Sequence, residues 1–264
     1  YSLNVLATDG TNTDTEVIVV NVTDTNDESP VFTSASSFTV AENQTAVGTL
    51  VATDADALEA ITYTITGGAD SSSFTVTGST LAFASAPDYE AQQSYVVVVT
   101  ASDTNATNST TQEITVNLTN VNDIAPVFTS ANTFSVAEGA DAVATLTGSD
   151  VEGDPVSFSA TLAGDDASDF ALTIAGVLTF VATPDFEAPA DANTNNVYSI
   201  TATITDGTNT STQDITVTVT DTNDNSPVLS VSTPYSVAEI TTSVGTVSAT
   251  DADANSTITY TLSG

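Results

Sequence analysis

Lysine, arginine and histidine are all missing from this sequence: its 264 residues include 34 Asp plus Glu and no basic side chain, for a formal charge of -34. Without Lys and Arg there are no contacts to neutralise phosphates, so nucleic acid is not expected as a partner. Anionic membrane surfaces repel such a chain for the same reason. The missing side chains also remove histidine general bases, lysine Schiff bases and arginine clamps from the possible chemistry. Cysteine is absent too, so no disulfide staples the fold, no thiol attacks a substrate, and the redox compartment cannot be read from thiol usage. Aliphatic runs such as 96–99 are only strand length, far below the roughly 18 apolar residues of a membrane-spanning helix; no membrane insertion is expected of this segment. The sequence opens on Tyr1 without Met or a charged leader, so any secretion signal is expected outside it and the chain reads as an excerpt.

What is present is a substantial apolar fraction, 40% of residues, which separates the chain from disordered acidic tails. Landmarks then recur in fixed order. SPVF at 29–32, APVF at 125–128 and SPVL at 226–229 are spaced 96 residues (Pro30 to Pro126) and 101 residues (Pro126 to Pro227) apart. Val-Ala-Glu ends at Glu42, Glu138 and Glu239, and ATDAD at 52–56 is echoed by GSDVE at 148–152 and ATDAD at 249–253. PDYE ends at Glu90 and PDFE at Glu187. The expected organisation is therefore two complete repeats, 29–124 and 125–225, preceded by the C-terminal part of one repeat (1–28) and followed by the N-terminal part of another (226–264).

Within each repeat the hydrophobic period is two. Ile18, Val20 and Val22, then Ile114, Val116 and Leu118, then Ile215, Val217 and Val219 alternate with polar residues just before an acidic stretch, as a half-buried strand should. Stretches 61–66, 73–78, 80–85 and 95–102 are rich in Thr, Val and aromatics and are bounded by Gly, Asp, Asn and Ser, again strand signals. Phe32, Phe38, Tyr63, Phe83, Phe128, Phe134 and Phe158 read as core fillers. About seven short strands per roughly 100 residues imply an all-β chain, a tandem array of Greek-key seven-stranded β-sandwiches of Ig-like kind.

The acidic stretch DTNDN at 221–225 supplies short-stemmed oxygens of the type hard cations such as Ca²⁺ bind. It is not the opening of a helical calcium loop: Ser226 stands at the sixth position, Pro227 at the seventh and Ser232 at the twelfth, where that loop needs Gly and a final Glu. Taken together, the landmarks resemble the cadherin repeat, whose linkers carry D-x-N-D-N. The likeness extends over essentially the whole chain, and the absence of basic residues is more like long repetitive surface proteins of microbes than animal ectodomains.

That resemblance implies calcium ions, about three per intact junction, held between successive sandwiches. For the junction at 221–225 the implied ligands are Glu138, Asp185, Glu187, Asp221, Asn223, Asp224, Asp251 and Asp253, with Thr222 and Asn225 offering carbonyls. For 120–124 they are Glu42, Asp88, Glu90, Asn122, Asp123, Asp150, Glu152 and Asp206; here Asn120 replaces the linker's first Asp, Ile124 its last Asn and Glu152 the second Asp of D-x-D. This linker is expected to bind calcium most weakly. For the first junction the matching residues are Asp24, Asn26, Asp27, Asp54, Asp56 and Asp103. The implied role is a calcium-rigidified structural or adhesive segment at the cell surface or outside the cell, able to self-associate into filaments or adhere to other surface proteins or glycans. The alternative is a passive acidic spacer. Catalysis is not expected: only a paired-carboxylate glycosidase is compatible with the composition, and every prominent carboxylate already belongs to the repeated pattern. Triplets such as 43–45 and 255–257 fit the N-glycosylation motif, but chance supplies them in a chain so rich in Asn and Thr.

Overall fold

A computed structural model describes residues 1–56, 60–103, 108–231, 233–254 and 256–264; Asn255 of the triplet 255–257 lies outside them. The described residues are strands and turns with two short 3-10 turns, Ser71–Ser73 and Ala167–Asp169. No helix among them is long and apolar enough to cross a membrane. The chain divides into two compact units, Tyr1–Val121 and Asn122–Gly264.

In the first unit, strand Ser94–Ser102 pairs antiparallel with Ser109–Thr119 through an unbroken register from Ser94↔Asn117 to Ser102↔Ser109. Alternate side chains Tyr95, Val97, Val99, Ile114, Val116 and Leu118 are buried, because consecutive residues of a strand point to opposite faces. Strand Thr62–Gly67 joins antiparallel on one side, and strand Ser37–Ala41 joins parallel to Ser109–Thr119 on the other, completing a four-stranded sheet. A three-stranded sheet of Ala46–Thr49, Thr80–Phe83 and Phe74–Thr77 supplies the rest of the sandwich. Val47, Leu50, Phe74, Leu81 and Phe83 meet the first sheet's apolar face in one core. Each such side chain contributes about 1.5–3 kcal/mol on burial.

The second unit repeats this arrangement: Thr133–Ala137, Thr210–Thr220, Val197–Thr205 and Ser157–Phe158 form one sheet, and Ala142–Thr145, Val177–Phe180 and Phe170–Leu172 the other. The sequence-predicted alternation holds in Ile215, Val217 and Val219, all buried. The earliest copy departs from expectation: its strand ends at Val19, so Val20 and Val22 fall beyond it, and Ile18 is exposed. Among the described residues that strand pairs only with Ser2–Thr8, and every residue of both strands is exposed.

Of the expected aromatic core residues, Phe83 and Phe158 are buried, while Phe32, Phe38, Tyr63, Phe128 and Phe134 pack at the core's margin. The tighter clusters are others, Phe74–Phe83–Tyr95 and Phe170–Phe180–Tyr198, with ring centroids 4.4 to 6.1 Å apart, close to stacked and edge-to-face spacings.

Candidate metal centre at the linkers

The parallel pairing of Thr133–Ala137 with Thr210–Thr220 delivers two carboxylate-bearing segments to one end of the sandwich. Glu138 follows the first strand and Asp221 the second. Glu138 donates its own N–H to the Thr220 carbonyl, and its buried side chain accepts from two backbones: Oε1 from Thr222 N–H at 2.7 Å and Oε2 from Phe186 N–H at 2.7 Å. Phe186 is the middle of PDFE. The turn is fixed by Asp185, whose Oδ1 accepts the N–H groups of Glu187 and Ala188, each at 3.1 Å.

These anchors bring oxygens from Glu138, Glu187 and Asp221 within 4.8 Å of one another, and a second group, Glu187, Asp224 and Asp253, is equally close. Glu187 belongs to both. Asp253 is positioned by Asp251, whose Oδ1 accepts the Asp253 N–H at 3.1 Å, and it in turn accepts the Asn225 N–H at 3.0 Å. The Asn225 side chain, expected only to lend a carbonyl, donates through Nδ2 to Glu187 at 3.2 Å, Asp224 at 2.9 Å and Asp253 at 2.9 Å. Asn223 is exposed on the same linker.

Burial and like charge act together on these carboxylates. Burial, followed by the charges of Glu138, Asp253 and Asp221, raises the Glu187 pKa; burial and then Glu138, Asp253, Asp185 and Asp221 raise that of Asp224. Burial also pushes Asp253 upward, but hydrogen bonds from the Asn225 side chain and from the Asn225 and Asp224 backbones outweigh it, and its pKa is lowered.

The same scheme appears in part at the other linkers. In the first unit Glu42 accepts Tyr89 N–H at 2.7 Å and Val121 N–H at 2.8 Å, and Asp88 holds the PDYE turn through Glu90 and Ala91. At residues 24–28, Asp56 Oδ2 accepts the N–H groups of Asp27 and Glu28 at 3.1 and 2.9 Å, and Asp54 accepts that of Asp56. Asp103 is buried and Asp24 exposed. In the second unit Glu152 accepts the N–H groups of Asp123 and Ile124 at 3.1 and 2.9 Å, and Asp150 that of Glu152 at 2.8 Å. Glu in place of Asp therefore reaches the same two linker amides. At 120–124 the sequence-predicted residues divide between the units: Glu42, Asp88, Glu90 and Asn120 belong to the first, and Asn122, Asp123, Asp150, Glu152 and Asp206 to the second.

Three residues escaped the sequence reading. Asp154 brings a third carboxylate within 4.8 Å of Asp150 and Glu152; the visible signal was D-x-E-G-D, with Gly153 at φ +87° turning the chain back. Asn108 and Asn209 donate to the linker residues Asn26 and Asn122.

Whether the residues suit a hard divalent cation can be tested on the donor set. All contributing atoms are oxygens, as such ions require, and Glu187 Oε1, Asp221 Oδ1, Asp54 Oδ2 and Asp150 Oδ2 are shielded from solvent with no hydrogen-bond partner. A shielded carboxylate oxygen without a partner is unfavourable, and the chain has no cationic side chain to offer. The residues fit such an ion.

A model of the cadherin domain family matches residues 36–119. That stretch of the chain is a cadherin domain. Human cadherin EGF LAG seven-pass G-type receptor 1 is 37% identical over 145 residues, half of this chain and 5% of the receptor. The chain thus corresponds to a small part of the curated relatives it matches. Among solved structures, the protocadherin gammaB4 extracellular domain aligns with a TM-score of 0.65 at 25% identity, covering 92% of this chain and 41% of that one. The protocadherin gammaB7 EC3-6 cis-dimer structure aligns with a TM-score of 0.65 at 24% identity, over 94% of this chain and 66% of that one. The described residues thus share the β-sandwich fold of these cadherin structures.

Proposed function

We propose that the chain is a calcium-stiffened structural or adhesive segment, with two complete repeats at 29–124 and 125–225, flanked by parts of neighbouring repeats at 1–28 and 226–264. The observation that carries this reading is Glu187, shared by two three-carboxylate groups, with one oxygen shielded and unpartnered. At the 221–225 linker, Glu138, Asp221, Glu187, Asp224 and Asp253 would hold the cations, and Asp185 and Asp251 would set the turns that present Glu187 and Asp253. Carboxylates about 4 Å apart repel by about 1 kcal/mol per pair even at the dielectric of bulk water, so the linker and its neighbours are held against an electrostatic load. Calcium bound there supplies the missing positive charge and cross-links segments from both sides of the linker. Binding at about 10⁻⁴ to 10⁻³ M, usual for extracellular calcium modules, suits an external medium.

Self-association between copies, of the kind named for the gammaB7 cis-dimer, is part of this proposal, with calcium bridging opposing negative surfaces. No catalytic role is proposed, since the composition lacks the usual bases and nucleophiles and its carboxylates serve the linkers. Circular dichroism melts of the chain in calcium and in EDTA, with metal analysis of the dialysed protein, test the reading. A ligand that binds only the native state raises the melting temperature, and two or more calcium ions per chain are expected. An identical melt in EDTA would instead favour the passive acidic spacer.

A further inference from the structure

We propose that Asn209 and Asn108 are positioning residues: each holds the third residue of a linker, Asn122 or Asn26, through a side-chain amide bond that needs no metal. The role assigned to those linker asparagines rests on the calcium reading above; the hydrogen bonds do not.

In the second unit, Asn209 Nδ2 donates to Asn122 Oδ1 at 2.6 Å, and also lies 3.3 Å from Asp206 Oδ2, 3.4 Å from the Asn122 carbonyl and 3.5 Å from that of Ile124. In the first unit, Asn108 Nδ2 donates to Asn26 Oδ1 at 2.8 Å and lies 3.5 Å from the Asn26 carbonyl. The two loops are not copies in length. Asn209 stands three residues after Asp206, and Asn108 five after Asp103, yet both amides arrive at the same linker position. Each backbone is tied to its aspartate: Asn209 N–H donates to Asp206 Oδ1 at 2.6 Å and Asn108 N–H to Asp103 Oδ2 at 3.3 Å. The DGTN turn at 9–12 makes the same local bonds from Asn12 and Thr11 to Asp9, so this turn is a unit the sequence reuses.

The chemistry explains why an amide is needed. Asp206 and Asn122 Oδ1 both present oxygen, and oxygen facing oxygen repels unless a donor lies between them. An NH₂ group has two hydrogens and can serve both. An amide oxygen has two lone pairs, so Asn122 Oδ1 can accept from Asn209 and still offer an electron pair to a cation. Asn209 holds the oxygen end of the Asn122 amide, while the Asn122 side chain also hydrogen-bonds Asp206; without Asn209 only the second of these contacts orients it. Partners that orient ligands in this way typically change metal affinity by about 10- to 100-fold when removed.

The test uses the chain with Asn209→Ala and Asn209→Asp, the second keeping shape but replacing the donor with an acceptor. Amide hydrogen exchange in EDTA should show Asp123 and Ile124 losing protection by about tenfold or more in both variants; unchanged protection would overturn the proposal. Terbium titration, read by tyrosine-sensitised emission, should weaken by about tenfold, and the effect should vanish in an Asn122→Ala background. Additive losses in that double-mutant cycle would also overturn it. Asn108→Ala, read at Asp27 and Glu28, gives an independent second copy should an Asn209 variant fold poorly. If terbium binds nowhere, the calcium reading fails, while exchange in EDTA still decides the role of the asparagines.

Discussion

Glu138 accepts the backbone N–H of Thr222 at 2.7 Å while its other oxygen accepts that of Phe186 at the same distance, so one side chain joins the linker's second residue to the PDFE turn. Glu42 does the same for Val121 and Tyr89. Glu138→Ala strands two N–H groups, and an unsatisfied group of this kind costs about 1–3 kcal/mol. A loss of about 3 kcal/mol is expected by urea denaturation in EDTA, with a smaller loss for Glu138→Gln, which keeps one acceptor. Equal stability of wild type and Glu138→Ala in EDTA would mean that the residue serves only the cation.

In chelator, stability should depend on pH in two opposed stages. Glu187 and Asp224 have raised pKa values in the folded chain, so they bind protons before their unfolded counterparts do. As pH falls from neutrality toward the upper edge of the carboxylate range, protonation relieves their repulsion and the melting temperature rises. Asp253 and Asp206 have lowered values: burial raises Asp206, but hydrogen bonds from Asn209, Thr208 and Asn122 more than offset it. Their stabilisation is complete above the unfolded value and is lost as pH falls through the folded one. Asp9, lowered to about 2 by the N–H groups of Asn12 and Thr11 and the Asn12 side chain, follows the same sign. Melting curves in EDTA should therefore pass through a maximum in mildly acid solution. With calcium present the rise should disappear, because protons then compete with the ion.

Exchanging linker residues should exchange affinities. Asn120→Asp restores the carboxylate present at Asp24 and Asp221, and calcium affinity follows ligand charge; isothermal titration should show the weakest step tightening by roughly three- to tenfold. Asp221→Asn should weaken the 221–225 site comparably. No change from either substitution would separate that position from the ion.

A different pair of residues controls packing above the core. A Cβ on Gly148 would clash with Ile204 Cδ1 and lie 2.9 Å from the Val127 carbonyl oxygen, whereas the nearest atoms to one on Gly48 belong to the Phe38 ring, at 2.5 Å. Overpacking of this order costs about 1–3 kcal/mol. Gly148→Ala should be the more damaging in chemical denaturation, because a backbone oxygen yields less readily than a ring at the core's margin.

Strands were the most legible part of the sequence, since alternation at Ile114, Val116 and Leu118 leaves one reading only: burial of one face. The short pairs Val31–Phe32 with Ala52–Thr53 and Val127–Phe128 with Gly148–Ser149 lie below the length at which a period shows. Phe170, Phe180 and Tyr198 were missed as a cluster because their contact comes from sheet packing rather than spacing. The acidic residues were legible as a repeated set, but their division of labour was not. Glu152 and Asp253 bind linker amides, whereas the buried carboxylates of Asp166 and Asp191 accept from Ala192, Ser199, Asn195 and Asn196 and brace a longer loop. Composition alone does not separate these roles, because both use carboxylate oxygens; only the neighbouring donors do.

In each repeat the strand after the short opening one runs beside the last strand in the same direction, with Ser37 to Ala41 matched to Thr115 to Thr119 and Thr133 to Ala137 matched to Thr216 to Thr220. The chain therefore enters a sandwich at one end of this ladder and leaves at the other. Tension along the polypeptide pulls the two strands past each other, loading the ladder's hydrogen bonds in shear so that they must yield together rather than unzip one at a time. A segment built this way resists being drawn out by its ends, and the ladder that meets the pull is also the one that carries Glu138 and Asp221 to the linker.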